Sequence, residues 1–194
     1  MNKLTGADST RRIVVVGSTG SGKTTLASQL AARLGIPHVE LDALYWEPNW
    51  TEADGEVFQE RVRWALTGDA WVADGNYGSV GAREIAWGRA KTIVWLDYAL
   101  PLIMRRLTWR TLRRVFRREE LWNGNRERFR VQFFSRDSLF LWVLRTYRRR
   151  RREYPVLLAD EQFAHLEVVR LRSPRATREW LSSVPVSPLS TTFS

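Results

Sequence analysis

The segment Gly17–Thr25 reads GSTGSGKTT and satisfies the pattern G-x-x-x-x-G-K-[ST], with Gly17, Gly22, Lys23 and Thr24 in the required places. That spacing serves phosphate binding. Backbone N–H groups of Ser18, Thr19, Gly20, Ser21 and Gly22 can wrap around a phosphate only if side chains at the turns do not block them. A helix opening at Lys23 directs its positive end at the same phosphate. Lys23 is the cation for the β/γ-oxygens, Thr24 offers a hydroxyl to Mg²⁺, and Thr25 completes the loop. The implied ligand is a nucleotide. The motif gives binding and leaves the reaction open.

Three aspartates follow apolar runs. Asp74 in WVADGNYG and Asp97 in TIVWLDY both end strand-like segments, where a carboxylate can hold Mg²⁺ through water. For Asp74, followed by Gly75, the metal role is preferred. For Asp97 a structural role, capping a turn or helix, is preferred. Asp42 in VELDALYWEPNW either orients an acceptor hydroxyl or ammonium or caps a helix. Trp46 and Trp50 either wall a pocket or simply pack. His38 and His165 stand alone and suggest no metal site.

The elements that must position these groups alternate. Ile13–Val16, Pro37–Leu41, Ala70–Ala73, Thr92–Leu96 and Leu166–Leu171 read as five buried strands. Helical stripes lie between them: Leu26/Leu30/Leu34 stopped by Gly35, Phe58/Val62/Ala65/Leu66 before Gly68, and Leu102/Ile103/Leu107/Leu112. Phe140/Val143/Leu144/Tyr147 form a fourth. Strands alternating with helices predict βαβ units and a parallel sheet, an α/β class. Residues 1–11 read as a flexible arm, 12–182 as one domain, and 183–194, rich in Ser, Thr and Pro, as a disordered tail.

The net charge of +10 is concentrated. Residues 105–152 hold 17 arginines against four acids, a local +13. Only three of the 31 basic residues are lysines; arginine's planar fork suits phosphate. With 136–154 taken as a helix at about 100° per residue, Phe140, Val143, Leu144, Tyr147 and Tyr154 share one face. Arg150 and Arg151 flank it, Arg145, Arg149 and Arg152 point away, and Arg148 lies between. So one or two arginines face the body of the protein. The basic stretch also predicts incidental nucleic-acid binding, and Trp109, Trp122, Phe129, Phe133 and Trp142 could stack on bases. Their spacing equally suits helix packing.

The chain has 194 residues and no cysteine, which excludes disulfides and thiolate metal sites. It has neither a signal-peptide core nor a run of roughly 18 apolar residues. The expectation is a cytoplasmic protein without a membrane span. Its oligomeric state is open.

The order GSTGSGKTTLASQLA, ELDALYW, DGNYG, WLDYALPLIMRRLTWRTLRR and the arginine run resembles the P-loop small-molecule and nucleoside monophosphate kinases. REELWNGNRE and SLFLWVLRTYRRRRREYP resemble the adenylate-kinase-like branch labelled DNA topology modulation proteins. The resemblance spans about residues 12–182. It implies a P-loop NTPase fold of three α/β/α layers, with a five-stranded parallel sheet in the order 2-3-1-4-5. It further implies a substrate region at about 42–68 and a helical lid at about 111–135. The implied activity is transfer of the ATP γ-phosphate, with Mg²⁺, to a small acceptor, a nucleoside monophosphate or a hydroxylated metabolite. Arg106, Arg110, Arg136 and Arg150 then fall where such kinases place phosphate-binding arginines, and Asp74-Gly75 lies beside metal and acceptor. Asn76 and Tyr77, counted with Asp42, Trp46, Asp74, Gly75 and Arg83 as candidate substrate-binding residues, depart from the Phe-Pro-Arg that follows Asp-Gly in adenylate kinases, so another residue, such as Arg83, would have to hold an acceptor phosphate. Asp42 stands where sugar- and shikimate-type kinases carry an acid. The alternative is a nucleic-acid-associated P-loop ATPase affecting DNA topology.

Overall fold

A computed structural model describes residues 11–78, 80–117, 123 and 139–187. The five predicted strands form: β1 (Arg11–Gly17), β2 (His38–Glu40), β3 (Ala70–Asp74), β4 (Thr92–Leu96) and β5 (Glu167–Leu171). They make one parallel sheet in the order β2-β3-β1-β4-β5, the order expected. Ile13–Val16 are fully buried because helices cover both faces, so a continuous apolar run is stable there where an alternating one is not required.

The alternation of the strand divides the core. Ile13 and Val15 face α1 (Lys23–Leu34), α5 (Leu100–Arg117) and α7 (Pro174–Ser183), with Leu26, Leu30, Ile103 and Leu107. Val14 and Val16 face the other layer, where α3 (Gly55–Ala65) contributes Phe58 and Val62 and α4 (Ala82–Arg89) contributes Trp87. The helix α6 (Leu139–Leu158) serves both layers, with Val143 and Tyr147 on one side and Tyr154 on the other. Gly35 ends α1 in the left-handed conformation, as its position after Leu34 predicts.

Some elements differ from the sequence reading. Between α2 (Leu41–Tyr45) and α3, a two-stranded antiparallel ribbon pairs Trp46–Glu47 with Thr51–Glu52. Its turn places Asn49 and Trp50 at positive φ. Residues 111–117, expected to begin the lid, continue α5; Thr111 is fully buried. The remainder of the expected lid lies outside the described residues except Asn123, whose amide donates to the Trp46 carbonyl at 2.6 Å. The expected tail begins too early. Val184 is fully buried, Arg33 donates to the carbonyls of Ser182 and Val184, and the Ser187 amide donates to the Arg33 carbonyl at 2.9 Å. A single arginine on α1 thus satisfies the carbonyls that α7 leaves open at its end. Leu144, assigned to the inward face of the arginine helix, is exposed, whereas Val143, Tyr147 and Tyr154 are buried as expected.

Candidate active site

The sheet register decides which side chains meet. Gly17 is level with Leu96 on one side of β1, and Val15 with Asp74 on the other. The loop after β1 therefore leaves the sheet between Asp74 and Asp97, at the carboxyl edge where parallel sheets bind ligands. A Cβ on Gly17 would stand 2.7 Å from the Leu96 carbonyl oxygen, at φ 147°, so only glycine lets the loop start this close to β4. Gly22 then caps α1 with no side chain over the first turn, which leaves its N–H groups to an anion. The buried Ser21 hydroxyl also has no hydrogen-bond partner. Ser18 is buried, Thr19 and Gly20 are half-buried, and Thr25 points to solvent.

Thr24 donates its hydroxyl to Asp74 Oδ2 at 2.7 Å. Asp74 is buried, and its Oδ1 meets His38 Nε2 at 2.9 Å. A hydroxyl that donates to a carboxylate keeps its lone pairs for a cation. Among the described residues no three His, Cys, Asp or Glu converge on a metal position. A pair of protein oxygens is nevertheless what Mg²⁺ takes when phosphates and water complete its shell. Thr24 and Asp74 therefore fit the implied ion.

Lys23 sits among these groups. Burial pushes its ammonium down to about 8; Asp42 pulls it back up, Arg150 lowers it, Asp74 raises it and Arg110 lowers it. The order of those influences identifies the neighbours, two carboxylates and two arginines around one lysine. Arg150 is half-buried, its Nη1 is buried without a hydrogen-bond partner, and its guanidinium lies 5.9 Å from the ring of Trp142. Burial lowers the Arg150 pKa; Tyr154 opposes that, Arg149 adds to it and Glu153 opposes it. Arg106 donates to the Ser21 carbonyl at 2.8 Å and lies over the ring of Tyr98, against the phosphate loop. Arg136 lies outside the described residues.

The acceptor side is aromatic. Asp42, on α2, accepts a short hydrogen bond from the Tyr77 hydroxyl. Burial raises the Asp42 carboxyl, opposed first by the Tyr77 hydrogen bond and then by Lys23. Burial likewise raises Tyr77, and the Asp42 charge raises it further. Glu40, not Asp42, is the N-cap of α2, so the capping alternative for Asp42 falls. Gly75 makes the approach possible: at φ 149°, a Cβ there would lie 2.8 Å from that of Leu41. Tyr45 packs on Trp46, Phe58 and Tyr77 with ring centres 4.7–5.1 Å apart, and Trp46 packs edge-on to Trp50 at 5.5 Å. Asn76 is turned toward the phosphate loop, where its amide meets both backbone groups of Gly17. Arg83 pairs with Glu84 at 2.5 Å and lies against Trp87. An open groove of about 580 Å³ between α3 and α4, lined by Trp64, Glu84, Ile85 and Gly88, includes neither the phosphate loop nor Asp42, Asp74 or Arg150.

Asp97 is held by two arginines. Arg151 reaches its Oδ1 at 2.7 Å and Arg170 its Oδ2 at 2.6 Å. Sequence reasoning missed both arginine partners and the His38–Asp74 contact. The only signal for His38 was a polar residue opening the short edge strand His38–Glu40.

No protein-family profile matches the chain. The shikimate kinase of Synechococcus elongatus is 28% identical over 138 residues, 60% of this chain and 72% of the relative. That of Synechococcus sp. strain CC9902 is 31% identical over 109 residues, 50% of this chain and 57% of the relative. Among solved structures, a sugar kinase from Janibacter sp. HTCC2649 has a TM-score of 0.51 at 21% identity, covering 94% of this chain and 99% of its own. The fold is that of the P-loop kinases. A gluconokinase from Sinorhizobium meliloti 1021 (TM-score 0.51, 20% identity, 90% and 91% covered) shares that P-loop kinase fold. So does the shikimate kinase of Bacteroides thetaiotaomicron (0.51, 14%, 89% and 94%). Among the described residues no helix is long and apolar enough to cross a membrane.

Proposed function

We propose that this protein is a kinase that transfers the γ-phosphoryl group of ATP to a hydroxyl of a small hydroxylated metabolite. The observation that carries the reading is the gathering of Asp42, Asp74, Arg110 and Arg150 around Lys23, with the Arg150 Nη1 buried and unpartnered. A buried guanidinium N–H without an acceptor costs stability unless an anion arrives. Phosphoryl transfer asks the protein mainly to position its substrates and neutralise charge. Lys23 and Arg150 neutralise the transferred group, and Arg110 lies within electrostatic reach of both Lys23 and Asp42. Thr24 and Asp74 would hold the Mg²⁺, which would supply positive charge to offset that of the phosphates. Tyr77 occupies one Asp42 oxygen; the other takes the acceptor hydroxyl. As the new O–P bond forms and the bridging P–O bond of ATP breaks, the hydroxyl proton passes to Asp42, whose raised pKa suits it to receive one.

Three features support a hydroxylated acceptor over a monophosphate. The residues after Asp74-Gly75 are committed, Asn76 to Gly17 and Tyr77 to Asp42. Arg83 is paired with Glu84. The relatives are shikimate kinases, which also favours a kinase over a nucleic-acid-associated ATPase. The acceptor then lies between Asp42 and the rings of Trp46 and Tyr77.

The test is ADP formation by the purified protein with Mg·ATP against a panel of polyols, hydroxy acids and nucleoside monophosphates, with DNA in parallel. One hydroxylated compound should raise turnover sharply and acquire phosphate. Lys23→Ala should abolish that turnover while the thermal melt is unchanged. Stimulation by DNA alone, or full turnover in Lys23→Ala, overturns the proposal.

A further inference from the structure

Three parts of the cleft meet at one carboxamide. Asn76 Nδ2 donates to the Gly17 carbonyl at 2.7 Å, and the Gly17 amide donates to Asn76 Oδ1 at 3.3 Å. An asparagine side chain has the donor and acceptor of a peptide edge, so it can bracket one residue's backbone in this way. The same Oδ1 accepts the Tyr154 hydroxyl at 3.0 Å. Tyr154 is buried on α6, its ring edge-on to Trp87 at 5.7 Å and to Trp95 at 5.4 Å. One helical turn earlier, at i−4 and so on the same face, stands Arg150.

Aspartate at position 76 could not donate to the Gly17 carbonyl and would bring a second negative charge to the phosphate loop. Phenylalanine at 154 would keep the ring between the tryptophans and lose only the link. Nothing in the packing of Tyr154 requires its hydroxyl; the hydroxyl serves the joint with Asn76.

We infer that Asn76 and Tyr154 are positioning residues that hold Arg150 at a fixed height over the phosphate loop. The joint ties the first glycine of the loop to the helix that carries the arginine, so loop and guanidinium meet the nucleotide as one unit. The next residue, Tyr77, is bonded to Asp42, and the acceptor carboxylate is therefore built on the same short segment. This inference rests on the proposal that Arg150 binds nucleotide phosphate.

The experiment is a double-mutant cycle on Mg·ATP affinity, measured by calorimetry on the full chain without acceptor. Arg150→Ala should weaken binding strongly. Tyr154→Phe should weaken it about 3- to 10-fold, the range of one lost hydrogen bond. In the Arg150→Ala background Tyr154→Phe should have no further effect, since the link then has nothing to position. Asn76→Ala should follow Tyr154→Phe; where that variant fails to fold, Tyr154→Phe alone carries the test. Unchanged affinity in Tyr154→Phe, or the same factor lost with and without Arg150, overturns the inference while leaving the nucleotide site intact. A wild-type protein that does not bind Mg·ATP, or whose affinity ignores Arg150→Ala, overturns the functional reading and this inference with it.

Discussion

Asp74 and Asp97 stand on either side of β1, each at the carboxyl edge of the sheet and each buried, at 3% and 4% exposure. Asp74 meets a threonine hydroxyl and a histidine. Asp97 meets two arginines. The first environment leaves a carboxylate able to share a cation. The second consumes it, because two guanidinium groups satisfy its charge and its lone pairs. The arginine run is divided between the same two regions: Arg150 goes to the phosphate loop and Arg151 to Asp97. Two aspartates at the carboxyl edge of the sheet thus differ in partners because of what the neighbouring elements bring.

Within this comparison the largest expected effect falls on Arg150. Arg150→Ala should lower kcat by about 10³-fold, the lower end for arginines that neutralise a moving phosphoryl group. Arg149→Ala, whose side chain is exposed and pairs with Glu153 at 3.5 Å, should stay within about twofold. Equal losses would erase the division of the run. Next comes Asp74→Asn, for which kcat should fall by about 10²-fold, with a raised Mg²⁺ requirement and little change in melting temperature.

The pH dependence of Lys23 gives a smaller effect. Its pKa is depressed to about 8, so the free protein loses this charge as pH rises through 8. In kcat/KM for ATP the expected result is a decline approaching tenfold per pH unit above about 8. The sign for stability is opposite. Between about 8 and the ordinary 10.5 the unfolded chain holds the proton and the folded chain does not, so the Lys23 contribution to stability rises with pH across that window. A flat kcat/KM profile to pH 9.5 would place Lys23 outside nucleotide binding.

Asp97→Asn should leave turnover within about threefold and act on stability instead. Its partners are 44% and 34% exposed, so solvent screening holds the loss to about 1–3 kcal/mol. Differential scanning calorimetry would register that as a fall of several degrees. A dead but fully stable Asp97→Asn would reverse the assignment of the two aspartates.

The phosphate loop was legible because the physics there is local. Gly17, Gly22, Lys23 and Thr24 lie within eight consecutive residues, and no distant partner is needed to define what they bind. The strands were legible for a similar reason: an apolar run between helical stripes has few other ways to be buried, and right-handed crossovers restrict the order in which strands join. The ribbon after α2 was not, since its pairs are two residues long and depend on the turn at Asn49 and Trp50. Nor was the packing of Val184, which Arg33 holds from 151 residues away.

By itself, then, the sequence determined the fold class, the strand order implied by its family resemblance, the phosphate loop and the inward turn of Arg150 on its helix. Periodicity and motif spacing encode such features within a few turns of chain. Tertiary structure alone decided that His38 meets Asp74, that Asp97 is consumed by Arg151 and Arg170, and that Asn76 joins Gly17 to Tyr154. Those contacts join residues 36 to 78 positions apart, and their geometry is set by sheet register and helix packing rather than by any local pattern.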